Sequence, residues 1–204
     1  MNRPDWEIVT NWIRPGASVL DLGCGNGALL SHLTEQRDVV GVGMEVDEDR
    51  LAACVKKNLN VIQADLDCGV REWFAPASFD YVVVSQTIQA IRNPECLLVE
   101  MLDIAAEGIV TFPNMGYWRN RWQLGGLGTM PTTKALPNPW YNTPNIHLCT
   151  LKDFDQLCAD LEIEIVERAV VDQNHQSNPL LQALPNLFGE HAIYRIRKRG
   201  AATG

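Results

Sequence analysis

Val19-Leu20-Asp21-Leu22-Gly23-Cys24-Gly25-Asn26-Gly27 carries the decisive pattern of this chain. A short apolar strand ends at Asp21 and Leu22 and runs directly into glycines at 23, 25 and 27, and the helix-compatible Ala28-Leu29-Leu30-Ser31-His32-Leu33 follows at once. Residues without a side chain let the backbone turn tightly and approach a ligand closely. The amides of such a turn, and of the helix N-terminus behind it, are available as donors. The stretch reads as a loop for a nucleotide-type cofactor.

Working outward from it, apolar runs predict strands at 17–22, 39–45, 60–64, 79–85 and 107–112. Amphipathic stretches predict helices at 28–36, 48–58 and 94–104, with Asn93 as the cap and Pro94 in the first turn of the last. This βαβα rhythm is that of an α/β, doubly wound, mostly parallel sheet covered on both faces. Asp80-Tyr81-Val82-Val83-Val84, nearly all β-branched or aromatic, suits a central strand. After Phe112 the rhythm stops. Residues 113–149 are rich in Pro, Gly, Asn, Trp and Tyr with little periodicity. That is too long for a plain connection, and its aromatic content favours an ordered lid.

Thr150-Leu151-Lys152-Asp153 has the pattern of a capping box and opens a helix to about 160. A strand at 163–170, a polar loop with Asn174, His175 and Asn178-Pro179, and a strand at 191–198 complete the chain. The last alternates like an antiparallel edge strand, with Arg195, Arg197, Lys198 and Arg199 as its solvated face and tail. One domain over residues 1–204 is expected, with 113–149 inserted as a lid between the fifth and sixth strands.

A hydrophobic content of 46% and a charged content of 21% are those of an ordinary globular protein. A net charge of -8 opposes general nucleic-acid binding. No apolar run approaches the ~20 residues needed to cross a bilayer, and Met1-Asn2-Arg3-Pro4-Asp5-Trp6-Glu7 is not a secretory signal. Six cysteines without a CxxC pair indicate neither a zinc site nor a disulfide framework, and reduced thiols point to the cytoplasm.

Dinucleotide folds use G-x-G-x-x-G with a glycine over the pyrophosphate. The tighter G-x-G-x-G here, with Asp21 on its strand side, suits instead a ligand with a cationic amino group and no phosphate. Asp21 would hold that amino group, and amides from Gly23 to Gly27 would receive a carboxylate or ribose, with Cys24 a small filler whose backbone matters. Glu45 ends the second strand in Gly43-Met44-Glu45-Val46-Asp47, where a carboxylate can accept from both ribose hydroxyls. Val46 would flank the ligand, while Asp47 reads as a helix cap. Asp65 ends the third strand, placed to accept from an adenine amino group while Leu66 covers the ring. Ser85-Gln86-Thr87 lies at the carboxyl end of the fourth strand, with Gln86 as its cofactor candidate. All four stations fall on the carboxyl rim, where open α/β sheets bind ligands.

This arrangement resembles the class I S-adenosylmethionine-dependent methyltransferases, over about residues 15 to 112 and again in the final helix and strands. The resemblance implies a Rossmann-like sheet of seven strands with the last antiparallel. It also makes Asp21, Gly23, Gly25, Gly27, Glu45, Asp65 and Gln86 the cofactor positions. Neither an Asn-Pro-Pro-Tyr element after the fourth strand nor a Pro-Cys dipeptide is present to declare a methyl acceptor.

Further strings resemble the MetW family of bacterial methionine-biosynthesis proteins across essentially the whole chain. They are Phe112-Pro113-Asn114-Met115-Gly116-Tyr117-Trp118-Arg119, Met130-Pro131-Thr132-Thr133-Lys134-Ala135-Leu136-Pro137 and Trp140-Tyr141-Asn142-Thr143-Pro144-Asn145-Ile146-His147-Leu148-Cys149-Thr150. The family implies a partnership with homoserine O-acyltransferase. The lid then has three readings. As an acceptor pocket, Tyr141 and His147 would supply a base or hydrogen bonds and Arg119 would hold an anionic substrate. As a docking face, Trp118, Arg119, Trp122, Trp140 and Tyr141 are the residue types that dominate interface energetics. As plain packing, the aromatics would only close the core. Two functions follow: an accessory subunit of the acyltransferase with an S-adenosylmethionine site, or a methyltransferase acting on a small molecule. An NAD-dependent reductase does not fit the glycine spacing.

Overall fold

The computed structural model describes residues 4–172, 181 and 183–200. The polar loop with Asn174, His175, Asn178 and Pro179 lies outside them. Strands β1 (Ser18–Leu22), β2 (Val40–Glu45), β3 (Asn60–Gln63), β4 (Phe79–Ser85), β5 (Ala105–Pro113), β6 (Ile163–Val171) and β7 (His191–Lys198) form a seven-stranded sheet in the order β3-β2-β1-β4-β5-β7-β6. The first five pair in parallel, and β7 runs antiparallel to both β5 and β6. The order reverses between β1 and β4, which places the switch point at the ends of those two strands.

Helices α1 (Pro4–Trp12) and α2 (Ala28–Arg37) cover one face: Val9, Ile13, Leu29 and Leu33 pack on Val19, Tyr81, Val83, Ile109 and Ile193. Helices α4 (Pro94–Ile104) and α6 (Leu151–Asp160) cover the other: Leu98, Met101, Phe154 and Cys158 pack on Leu20, Val82, Val110 and Tyr194. A tight aromatic group of Phe112, Phe154 and Tyr194 has ring centroids 4.7–5.7 Å apart. Helix α3 (Glu48–Lys56) follows β2, capped by Asp47, whose carboxylate accepts from the Arg50 amide. The capping box at Thr150 and Asp153 forms in both directions. At the start of α4, Pro94 stands in the first turn, but the Asn93 side chain makes no capping bond.

Three features depart from the sequence reading. The first is α1, whose Trp6, Val9 and Ile13 spacing is helical and whose Pro4 occupies the opening turn. The second is a helix α5 (Trp118–Leu127) within the segment expected to be irregular. The third is β7, which is not an edge strand. It lies between β5 and β6, so Ala192, Ile193, Tyr194 and Ile196 are all buried and β6 takes the edge. The arginines of β7 are accordingly paired rather than merely solvated. Arg197 makes a two-pronged contact with Glu164 at 2.7 and 2.9 Å, and Arg195 meets Glu167 and Glu107. Alternation along the chain cannot separate an edge strand from an internal one whose polar side is met by neighbouring carboxylates. Among the described residues, no helix is long and apolar enough to cross a membrane.

Candidate functional site

The glycine loop is a left-handed staircase. Gly23, Gly25 and Gly27 have φ of 72°, 57° and 71°, values a side chain tolerates poorly. At Gly23 and Gly27 space is also closed. A Cβ on Gly23 would come within 2.5 Å of the Thr87 side chain, and one on Gly27 within 2.4 Å of Leu59 and 2.9 Å of the Cys54 Sγ. Gly25 has open space instead. Cys24 packs its sulfur beneath Gly43 of β2, 2.6 Å from where a Cβ there would sit. Burial pushes its thiol strongly up, so it serves as filler rather than nucleophile.

The loop's amides are largely spent on the fold. Gly23 and Cys24 N–H donate to the Met44 carbonyl at 2.8 and 3.0 Å, and Gly27 N–H donates to the Cys24 carbonyl. The Gly25 amide donates to Glu45 Oε2 at 2.8 Å, and Glu45 Oε1 accepts from the Val46 and Asp47 amides at 3.0 and 3.1 Å. Glu45 therefore clasps the loop and the start of α3, with Arg50 3.7 Å from its outer oxygen.

Asp21 is different. It is 2% exposed, and no donor among the described residues reaches its carboxylate. Burial, and then the Glu45 charge, push its pKa up to about 7. It lines a cavity of about 210 Å³ with Trp6, Gly23, Gly25, Asn26 and Ser85. A buried carboxylate without a donor is costly unless a cation joins it. Together with a wall that excludes side chains at Gly23, this is chemistry suited to the cationic group of a small ligand.

Glu45 and Asp65 do not line that cavity. Asp65 is exposed and caps a 3-10 turn, Leu66–Cys68, by accepting from the Asp67 amide at 3.0 Å, while Leu66 is buried beneath it. Gln86 has φ 54°, and both its backbone amide and its side-chain Nε2 donate to Thr111 Oγ1. The stations share the rim, on the ends of β1 to β4, but of them only Asp21, the loop around Gly23 to Gly25 and Ser85 at the end of β4 face this cavity. One contributor lies outside the sequence reading: Trp6 comes from α1. Thr87, from the station that ends the fourth strand, closes on Gly23 and donates to its carbonyl at 3.4 Å.

The 113–149 segment is fastened at its base by Asn114, which is fully buried. Its Nδ2 donates to the Gly189 and Asn186 carbonyls at 2.7 and 3.2 Å, and its Oδ1 accepts from the Gly116 amide at 2.8 Å. Its own carbonyl receives the side chain of Asn120, the buried residue of α5, and Arg121 donates to the Gly116 carbonyl. Further along, the Ile146 and His147 amides both donate to the Gln89 carbonyl. The His147 ring lies 3.2 Å from the Arg92 carbonyl, which gives it an orienting partner. Tyr141 is 74% exposed and stacks edge-on against Trp140, itself 71% exposed. Arg119 lies 5.4 Å over the Trp118 ring. A cleft of about 250 Å³ opens between Met130, Leu136, Trp140, Ile146 and Leu148. Tyr141, His147 and Arg119 are thus not drawn to the Asp21 cavity.

Fold and rim together define a class I methyltransferase architecture. A Mesorhizobium loti S-adenosylmethionine-dependent methyltransferase superposes with a TM-score of 0.70 at 16% identity, over 97% of this chain and 99% of that one. The [4+2]-cyclase SpnF superposes with a TM-score of 0.66 at 14% identity, over 95% and 80%. One architecture thus carries more than one chemistry. The chain itself belongs to the family described as methionine biosynthesis protein MetW, whose profile matches residues 3–196. A relative from Rhodopirellula baltica, the bifunctional methionine biosynthesis protein MetXA/MetW, is 34% identical over 205 residues. The match takes in 95% of this chain and 32% of the relative, so the chain spans about a third of that protein's length.

Proposed function

We propose that this protein serves methionine biosynthesis as an S-adenosylmethionine-binding subunit that acts with homoserine O-acyltransferase. The observation that carries the cofactor half is Asp21, a buried carboxylate with no donor among the described residues at the head of the left-handed glycine loop. In this reading Asp21 takes the cofactor's ammonium and Trp6 and Ser85 close the cavity around it. The bound sulfonium would supply an activated methyl group or, equally, a signal of pathway output. Glu45, Val46, Asp65, Leu66 and Gln86 would line the nucleoside path along the rim. Glu45 would then exchange its hold on the Gly25 amide for ribose hydroxyls.

The partner half is supported by the Rhodopirellula baltica relative, which carries MetXA and MetW in one name and one chain. The exposed Trp118, Trp122, Trp140 and Tyr141 suit a docking face. One domain is inferred, with 113–149 as its lid and the cytoplasm as its compartment. A methyltransferase acting on a small molecule is the weaker alternative, because neither Tyr141 nor His147 lines the Asp21 cavity.

The test is co-elution with homoserine O-acyltransferase, with acyl transfer measured in the presence and absence of this chain and of S-adenosylmethionine. Association that S-adenosylmethionine strengthens or weakens supports the reading, and by linkage the acyltransferase must change cofactor affinity by the same factor. No association and an unchanged acyl-transfer rate would remove the partnership. Formation of S-adenosylhomocysteine with a pathway metabolite would favour the alternative.

A further inference from the structure

Of the six cysteines, Cys68 and Cys96 are exposed, while Cys24, Cys54 and Cys158 are buried and Cys149 is half-buried. The exposed pair lines one cleft of about 200 Å³, between the 3-10 turn Leu66–Cys68 and the first turn of α4. Hydrogen bonds on either side fix how the two walls face each other. Before Cys68, the Asp67 carboxylate accepts from the Arg92 amide at 2.8 Å. After it, the Val70 amide donates to Glu100 Oε2 at 2.7 Å. Arg92 lies four residues before Cys96 and Glu100 four after, so the anchors that bracket Cys68 also bracket Cys96. Residues 96 and 100 share a face of α4, one turn apart. Among the described residues, no group of three His, Cys, Asp or Glu gathers to hold a metal ion, so the cleft offers a pair of thiols.

We propose that Cys68 and Cys96 form a reversible disulfide, a redox-responsive clamp on the turn that carries Asp65. The oxidant is a small disulfide of the glutathione class. One cysteine loses its proton to solvent, and its thiolate attacks the glutathione disulfide. An S–S bond to the protein forms, the original S–S bond breaks, and one glutathione leaves as thiolate to pick up a proton. The second cysteine, deprotonated in turn, attacks the mixed disulfide and expels the second glutathione. The two cysteines are oxidised by two electrons and glutathione disulfide is reduced to two thiols. Closure draws the 3-10 turn against α4. The segment before α4 also holds the Ile146 and His147 amides through the Gln89 carbonyl, so the clamp ties the Asp65 turn to the attachment of the 113–149 segment.

The experiment uses the full chain equilibrated in glutathione buffers, acid-quenched, alkylated and mapped without reduction. The expected result is a loss of two hydrogens and a peptide cross-linked between Cys68 and Cys96. It should be reversed by dithiothreitol and absent in Cys68→Ser and Cys96→Ser. The oxidised chain should also melt several degrees higher than the reduced one, because the cross-link restricts the unfolded chain, and the Ser variants should not shift on oxidation. Glutathione adducts without the cross-link, or a cross-link using other cysteines, would overturn the proposal. So would a cross-link that leaves the melting temperature unchanged, since no clamp would then exist. Neither readout involves S-adenosylmethionine, so this proposal and the cofactor reading stand or fall separately.

Discussion

The two sides of the rim solve opposite problems. Around β1 and β2 the loop is committed to itself: amides are spent on Met44, Cys24 and Glu45, glycines are locked in left-handed φ, and among the described residues no donor reaches the buried Asp21 carboxylate. Beyond β5 the chain is fastened at its base by buried Asn114 and further along by the Ile146 and His147 amides on the Gln89 carbonyl, while Trp118, Trp122, Trp140 and Tyr141 face outward. A pocket that must recognise one small cation benefits from rigidity and a charge already desolvated. A surface that meets a protein can expose large anchors, provided its base is held.

The comparison is broken most directly at Asp21. Its carboxyl is raised from 3.8 to about 7, so the folded state holds the proton more tightly than the unfolded one. That contribution to stability is present below about pH 4 and is lost as pH rises through 7, a difference on the order of 4 kcal/mol at most. Asp21→Asn should therefore stabilise the unliganded protein at pH 8, change it little near pH 4, and abolish S-adenosylmethionine binding in calorimetry. Urea melts at the two pH values decide it, and equal stability of wild type and variant at pH 8 would mean the carboxylate is not desolvated. Asn114→Ala tests the opposite side. It strands the Gly116 amide and the Gly189 carbonyl, and should cost about 2–4 kcal/mol in denaturant unfolding.

Within the loop, Gly27→Ala should cost about 2–3 kcal/mol, since left-handed strain is joined by collision with Leu59 and Cys54. Gly25→Ala meets only the strain and should cost about 1 kcal/mol. Thermal melts of the pair separate strain from space, and equal losses would refute the account of Gly27. The smallest effect on folding belongs to Trp140→Ala and Tyr141→Ala, within about 0.5 kcal/mol by melting. If that face docks homoserine O-acyltransferase, the same variants should lose at least about fivefold in affinity by surface plasmon resonance.

Much of the parallel half was legible because its signals are local. Apolar runs, a capping box and glycines at alternate positions each report on their own neighbourhood, and so Asp21, the loop and all seven strands could be located along the chain, though not the internal position of β7 in the sheet. Contacts distant in sequence were not legible. Glu45 was expected to wait for ribose, yet nothing local says that its Oε2 meets the Gly25 amide twenty residues away. Trp6 reaches the cavity only because α1 packs on the sheet, and α5 escaped notice because it buries little beyond Asn120. The arginines of β7 looked solvent-bound because their partners, Glu107, Glu164 and Glu167, sit on other strands.

The placement of β7 carries a consequence for how the molecule is made. β6 joins the sheet through β7, which follows it in the chain. During synthesis, β6 must therefore emerge from the ribosome with no strand to pair with, and β5 keeps an open flank until residues 191–198 arrive. Of all the sheet's pairings, β5 with β7 closes the longest intervening loop. That late, long-range step is where a nascent chain of this kind is most exposed to pairing with the wrong neighbour.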